Sequence, residues 1–182
     1  AAAANREKRT KEVTLSPLEK AFDQSLSEDL ATDALAAYRK VAGIEEPIDS
    51  PAFRRRLAAK GLLKRDGNNW TPTGFGLLLF GKEPRKHMQQ AGLLGTIHFA
   101  DGREELRDFV GPQVLVPAQA LEWLRDKLPD PIDRTEARRQ SAGKALLELA
   151  REGIVNALVH RSYDITGAKC QLIVKPETIV VK

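Results

Sequence analysis

Four polar side chains recur at a strict spacing of four residues in the C-terminal part of the sequence: Glu148, Glu152, Asn156 and His160. Residues at this spacing lie one turn apart on the same face of an α-helix. The carboxylate of Glu152 and the amide of Asn156 can therefore act together on one ligand. The same pattern is common on solvated helices, where the glutamate is hydrated and the asparagine caps or packs. The spacing alone leaves both interpretations open.

The apolar residues between these polar positions predict the helix that presents them. From 146 to 158 they follow one another at alternating steps of three and one, which is typical of a buried helical face. They are Leu146, Leu149, Ala150, Gly153, Ile154, Ala157 and Leu158. Strands are predicted over 168–174 and 178–181 after this helix. Upstream of it, the pattern predicts a strand over 95–100, a helix over 112–128 and a loop over 129–140.

Positive charge is concentrated in one short stretch of the sequence. Residues 51–86 carry nine basic and two acidic side chains, whereas the whole 182-residue chain has 29 basic and 25 acidic ones. Such a stretch is either an ordinary solvated surface or a binding surface for a polyanion. The candidate nucleic-acid-binding residues are Arg54, Arg55, Arg56, Lys60, Lys64 and Arg65.

Helices followed by a short hairpin are predicted around these basic residues. Ser16-Pro17 and Asp49-Ser50-Pro51 are typical helix starts, with a serine N-cap before a proline, and another helix is predicted over 30–41. The turn formers between Arg65 and Trp70 predict a β-hairpin. This order predicts a winged-helix-like segment over residues 16–86. In that fold one helix enters a DNA major groove and the hairpin contacts the backbone.

Composition and motifs exclude several classes of protein. Hydrophobic residues make up 42% and charged residues 30% of the chain, as in ordinary globular proteins. A single cysteine excludes an internal disulfide, and no apolar run reaches the roughly 18 residues of a membrane span. No Walker phosphate-binding loop is present, which argues against a helicase motor. We expect a cytoplasmic protein with no membrane partner, in which residues 1–15 are a disordered arm or tag.

Three separate patches, in order, resemble the RecG-related family of transcriptional regulators. They are TPTGFGLLLFGKEP (71–84), DFVGP (108–112) and REGIVNALVHRSY (151–163). Proteins of this family begin with a Schlafen AlbA-like domain and carry a divergent GHKL-type ATPase-like module at the C-terminal end. The resemblance implies an α+β chain in which the winged-helix-like segment precedes the N-terminal part of a GHKL (Bergerat-type) α/β sandwich. That sandwich would occupy residues 87–182 and be truncated at its C-terminal end.

The resemblance also implies roles for the polar stripe. In the GHKL N-box, a glutamate orients or deprotonates the attacking water, and an asparagine oxygen ligates the Mg²⁺ that bridges the phosphates. Glu152 then becomes the catalytic base and Asn156 the metal ligand, while Asn156, Ala157 and His160 bind the cofactor. ATP and Mg²⁺ are the implied cofactors of the complete protein. The aspartate and glycine-rich box of GHKL sites do not occur by Lys182, so the fragment alone is expected to be inactive.

Together these predictions describe a DNA-associated transcriptional regulator in which ATP binding switches conformation or dimerisation. DNA is the expected partner, and a homodimer is one assembly that this function allows. The alternative is a non-enzymatic protein-interaction module with a degenerate ATPase-like fold, in which Glu152 and Asn156 are relics. A sensor kinase is less consistent with the sequence, because no phospho-acceptor helix pair with a suitable histidine precedes the N-box-like segment.

Overall fold

Helices and strands alternate along the chain in a mixed α+β fold, as predicted. The computed structural model describes residues 16, 18–22, 27–128 and 136–182, with the side chains of 136–144 outside that description. The helices are α1 (Thr32–Val41), α2 (Pro51–Ala59), α3 (Gly74–Phe80), α4 (Val116–Lys127) and α5 (Glu136–His160). The strands are β1 (Leu63–Asp66), β2 (Asn69–Pro72), β3 (Leu93–His98), β4 (Glu104–Phe109), β5 (Cys170–Lys175) and β6 (Thr178–Val181).

The first three helices and the β1–β2 hairpin form one packed group. Helix α2 begins where predicted, because Pro51 occupies its first turn and the Ser50 hydroxyl accepts a hydrogen bond from the Phe53 amide. Strands β1 and β2 are antiparallel, and Gly67 adopts a positive φ of 56° in the turn between them. The Thr73 hydroxyl caps α3 by accepting from the Gly76 amide. Local capping and turn signals thus position the basic residues.

The remaining strands form a four-stranded sheet in the order β4-β3-β5-β6. Strands β3 and β5 are parallel, whereas β4 and β6 pair antiparallel with their neighbours. Helices α4 and α5 pack against one face of this sheet. A Cβ at Gly95 would lie 2.6 Å from Trp123 Cζ3, so glycine lets the indole of α4 lie directly on β3.

One hydrophobic core lies among α1–α3 and the hairpin, and a second lies against the four-stranded sheet. The first core combines residues of α1, α2, the hairpin and α3 with Met88, Ala91 and, from far along the chain, Tyr163. The second core lies between the sheet and α4–α5, and its buried members include Trp123, Phe109, Leu93, Ile97, Leu124, Ile154 and Leu172. The predicted domain boundary between residues 86 and 87 stays a prediction.

The helix predicted to begin at Ser16-Pro17 is wrong for the described residues. Residues 18–20 form a turn, in which the Ser16 hydroxyl accepts from the Leu18 amide. Ala21 then forms a β-bridge with Thr73, and the Phe22 amide donates to the Pro72 carbonyl. The cap is therefore present, but pairing with the end of β2 replaces further helical turns. Residues 1–15, Pro17 and residues 23–26 lie outside the described residues.

Two predictions around α5 also need correction. The loop expected over 129–140 is wrong for residues 136–140, which belong to α5, and residues 129–135 lie outside the description. Leu146 and Leu149, predicted to be buried, are 41% and 69% exposed. The buried part of this helical face begins at Ala150 and continues through Ile154 and Leu158, and both leucines precede it. No helix in the described ranges combines the length and apolarity needed to cross a membrane.

Candidate functional site

The polar stripe of α5 lies on its exposed face. Glu148, Glu152, Asn156 and His160 are all exposed. Glu152 and Asn156, with Arg151 and neighbouring residues of the same helix, line a shallow open groove of about 400 Å³. Within the described part of the chain, neither Glu152 nor Asn156 makes a side-chain hydrogen bond or ion pair. Both side chains are therefore accessible to a ligand.

A second groove continues this surface towards α4. It has a volume of about 380 Å³ and lies between Leu121 and Arg125 of α4 and Leu147, Glu148 and Arg151 of α5. The two grooves share Glu148 and Arg151 as lining residues, so they adjoin on α5. Two arginines, one glutamate and two leucines line this second groove, so it presents charges of both signs and apolar surface.

The C-terminal turns of α5 are held by residues that follow the helix. The last carbonyl groups of a helix lack intrahelical partners. The Cys170 thiol, 3.4 Å away, donates to the Ala157 carbonyl, and the Tyr163 hydroxyl donates to the Leu158 carbonyl at 2.9 Å. Burial raises the pKa of the Cys170 thiol, which keeps it protonated as a donor. These contacts fix the turn that carries Asn156.

The other residues predicted to bind the cofactor lie apart from the groove. Ala157 is half-buried and packs against the second core. His160 is exposed in the last turn of α5 and is not among the residues that line either groove. Among the described residues, no three His, Cys, Asp or Glu side chains are arranged to hold a metal ion. The described structure therefore brings together Glu152 and Asn156 only.

The six predicted nucleic-acid-binding residues lie on α2, at its C-terminal cap and on β1; we call this group the basic surface. Two of them are engaged internally: Arg56 pairs with Glu46 at 2.5 Å, and Arg65 donates to the Gly67 carbonyl and lies 5.7 Å from the Trp70 ring. The other four form no ion pair with any described residue, and all except half-buried Arg54 are exposed. The four are Arg54, Arg55, Lys60 and Lys64.

Sequence reasoning missed an ion cluster that links the connection between α3 and β3 to the four-stranded sheet. The Arg85 guanidinium makes two hydrogen bonds of 2.6 Å to Asp108 on β4, and Lys169 Nζ lies 3.0 Å from the same carboxylate. The Arg85 hydrogen bond, followed by that of Lys169, lowers the pKa of Asp108 to about 2. Asp108 begins the DFVGP patch, but no spacing in the sequence connects it to Arg85. Tyr163 enters the first core from beyond α5, and no spacing in the sequence predicts that placement.

Comparisons with known proteins identify a similar fold and no family. No protein-family profile matches the chain, and no curated protein matches it significantly. The crystal structure of the DIP2311 protein from Corynebacterium diphtheriae is similar, with a TM-score of 0.50 and 18% sequence identity. The match covers 88% of this chain and 26% of that one, so this chain spans about a quarter of that protein's length. At this identity the likeness concerns the fold alone.

Proposed function

We propose that this protein is a DNA-associated transcriptional regulator with a GHKL-type, ATP-binding module. The observation that carries the proposal is the basic surface, where four cations on one helix and the adjoining hairpin lack ion-pair partners among the described residues. Surface cations of this kind neutralise DNA phosphates and release the counterions bound there, which supplies affinity that does not depend on sequence. The resemblance to RecG-related transcriptional regulators points to the same function.

The order of elements supports a winged helix as the DNA-binding unit. Ala21 precedes α1 along the chain and forms a bridge with Thr73, which directly follows β2. The β1–β2 hairpin follows α2 directly. Phe53 and Leu57 bury one side of α2, so Arg55 and Arg56 lie on its outer side. In this proposal α2 approaches the major groove and the hairpin approaches the phosphate backbone.

The exposed face of α5 supports the nucleotide-binding part of the proposal. Glu152 and Asn156 place a carboxylate and a primary amide one turn apart in one groove. Oxygen atoms of these groups are ligands that Mg²⁺ accepts, so the pair suits an Mg²⁺-bound nucleotide. Asn156 would hold the metal ion through its amide oxygen, and Glu152 would hold a water molecule or accept its proton. Bound ATP and Mg²⁺ would supply a phosphoanhydride bond and the charge that activates it. The four-stranded sheet behind α5 suits the proposed sandwich.

A comparison of two charge-matched variants tests the DNA-binding part. One variant replaces Arg55, Lys60 and Lys64 with alanine, and the control replaces three cations elsewhere in the same way: Arg125, Lys175 and Lys182. Fluorescence anisotropy with a labelled 20-base-pair duplex should show affinity about tenfold or more weaker for the first variant. The control should bind nearly as well as wild type. Equal losses in both variants, or no loss in either, would contradict the assignment of the basic surface.

Calorimetric titration with Mg-ATP tests the nucleotide-binding part. Wild-type protein should bind, Asn156→Ala should lose most of the affinity, and Asn68→Ala, which alters an exposed asparagine in the hairpin turn, should bind normally. Binding by Asn156→Ala that equals wild type would remove Asn156 from the site. No binding by wild type would remove ATP from the proposal.

One observation favours the alternative of a protein-interaction module with a degenerate ATPase-like fold. Leu149 and Val159 are 69% and 68% exposed, and they lie on either side of Glu152 and Asn156 on α5. In this alternative a partner protein would cover these two aliphatic side chains. Absence of Mg-ATP binding, together with self-association that Leu149→Ser abolishes, would favour this function.

A further inference from the structure

Tyr163 lies at the junction between α5 and the first core. It is 6% exposed, and its ring packs in the core formed by α1–α3 and the hairpin. Its hydroxyl donates to the Leu158 carbonyl in the last turns of α5 and accepts a hydrogen bond from Gln113 Nε2. Its backbone carbonyl accepts from Gln90 Nε2. Burial raises the pKa of Tyr163 to about 12, so the hydroxyl remains a donor at neutral pH.

Gln113 continues this contact to α3. The Gln113 side chain is buried, and its backbone amide donates to the Leu78 carbonyl at 3.1 Å. The next amide, of Val114, donates to the Leu79 carbonyl at 3.3 Å. Buried polar groups without partners are costly, and Gln113 Nε2 is satisfied by the Tyr163 hydroxyl, whereas the buried Gln113 Oε1 has no hydrogen-bond partner among the described residues. The end of α5 and the end of α3 are therefore joined through Gln113.

Helix α3 in turn is in direct backbone contact with the basic surface. The Thr73 hydroxyl at its N-cap donates to the Gly61 carbonyl at 2.6 Å, and the Thr73 amide donates to the Leu62 carbonyl. A Cβ at Gly76 would lie 2.1 Å from the Leu62 carbonyl oxygen, so the two backbones touch. Gly61 and Leu62 lie between Lys60 and Lys64. A series of contacts thus runs from the end of α5 through Tyr163, Gln113 and α3 to the backbone between Lys60 and Lys64.

We propose that Tyr163 is a positioning residue whose hydroxyl couples the α5 groove to the basic surface, so that Mg-ATP and DNA change each other's affinity. The inference rests on the proposed function and names the residue that connects its two parts. Coupling between two ligands is reciprocal, and each must change the other's affinity by the same factor. The test measures that factor directly.

The experiment measures duplex affinity by anisotropy with and without saturating Mg-ATP and takes the ratio as the coupling factor. We expect a factor of about five or more for wild type. Tyr163→Phe and Gln113→Met should each bring the factor close to one, and the double variant should show no further loss, because both changes break the same contact. Tyr38→Phe is the matched control, since Tyr38 is the other tyrosine of the first core. It should keep the wild-type factor.

The outcomes separate the inference from the function on which it rests. Wild type that binds DNA and Mg-ATP independently overturns the inference and leaves the proposed function intact. Wild type that binds neither overturns both. A factor unchanged in Tyr163→Phe also overturns the inference, because a merely structural tyrosine would alter stability without altering the ratio. If the variants fail to fold, hydrogen exchange of the Gln113 and Val114 amides in wild type decides: Mg-ATP should change their protection, and unchanged protection overturns the inference.

Discussion

Removing the Glu46 carboxylate should strengthen DNA binding, because Glu46 occupies one cation of the basic surface. Glu46 Oε1 lies 2.5 Å from Arg56 Nη2, and the Arg56 hydrogen bond lowers the pKa of Glu46. The pair is partly exposed, with 46% of the arginine side chain and 30% of the glutamate side chain accessible. In Glu46→Ala, Arg56 becomes available to a phosphate. A gain of affinity cannot be explained by a variant that folds poorly.

The size of this gain follows from counterion release. Each phosphate contact steepens the plot of log affinity against log salt by about 0.9. The gain in affinity from one added contact is therefore about 3.5-fold larger at 50 mM salt than at 200 mM salt. We expect this difference between Glu46→Ala and wild type in an anisotropy titration repeated at four or more salt concentrations.

Glu45→Ala is the matched control for this prediction. It changes the net charge equally, but the structure gives Glu45 only a backbone contact, from its carbonyl to Arg39, so no cation is released. Its salt slope should equal that of wild type. Equal slopes for Glu46→Ala and Glu45→Ala would refute the reasoning, as would weaker binding by Glu46→Ala.

Three further predictions concern the core, the ion cluster and the cysteine. Gly95→Ala should lower the free energy of unfolding by about 2 kcal/mol, because its Cβ would overlap the buried Trp123 ring; urea unfolding measures this, and adding Trp123→Phe should recover part of the loss. Asp108 has a pKa lowered to about 2 by Arg85, so its stabilising effect should be present above about pH 4 and be lost as the pH falls through 2. Acid unfolding of Asp108→Asn should lack this component, and a stability difference from wild type that is constant with pH would contradict the assignment. The Cys170 thiol, buried and with a raised pKa, should react with a thiol reagent far more slowly in native than in unfolded protein, and rapid labelling of native protein would contradict its burial.

Elements with strong local signals were predictable from the sequence. Ser50-Pro51 marks the start of α2, and the Asp-Gly and Asn-Asn pairs mark the hairpin, because capping and turn geometry depend on neighbouring residues. Ser16-Pro17 carries the same capping signature, yet the residues described there, 18–20, form a single turn. Pairing of Ala21 with Thr73 is a contact between distant residues, and no local pattern reveals it.

The candidate site likewise has features that the sequence predicted and features that it did not. The exposed stripe with Glu152 and Asn156 was predictable from helical periodicity. The pairing of Arg56 with Glu46 was not, because it depends on how the connection between α1 and α2 folds back. The contact of Tyr163 with Gln113 joins residues 50 positions apart, and only the packed structure brings them together.

The claim that the basic surface and the α5 face bind different ligands is tested most directly by nuclear magnetic resonance. Duplex DNA and then Mg-ATP would be titrated into ¹⁵N-labelled protein while the backbone amide shifts are followed. DNA should move amides of α2 and the β1–β2 hairpin, and Mg-ATP should move amides on α5 around Glu152 and Asn156. Shifts caused by DNA that are confined to α4 and the four-stranded sheet, or no shifts with either ligand, would contradict the claim.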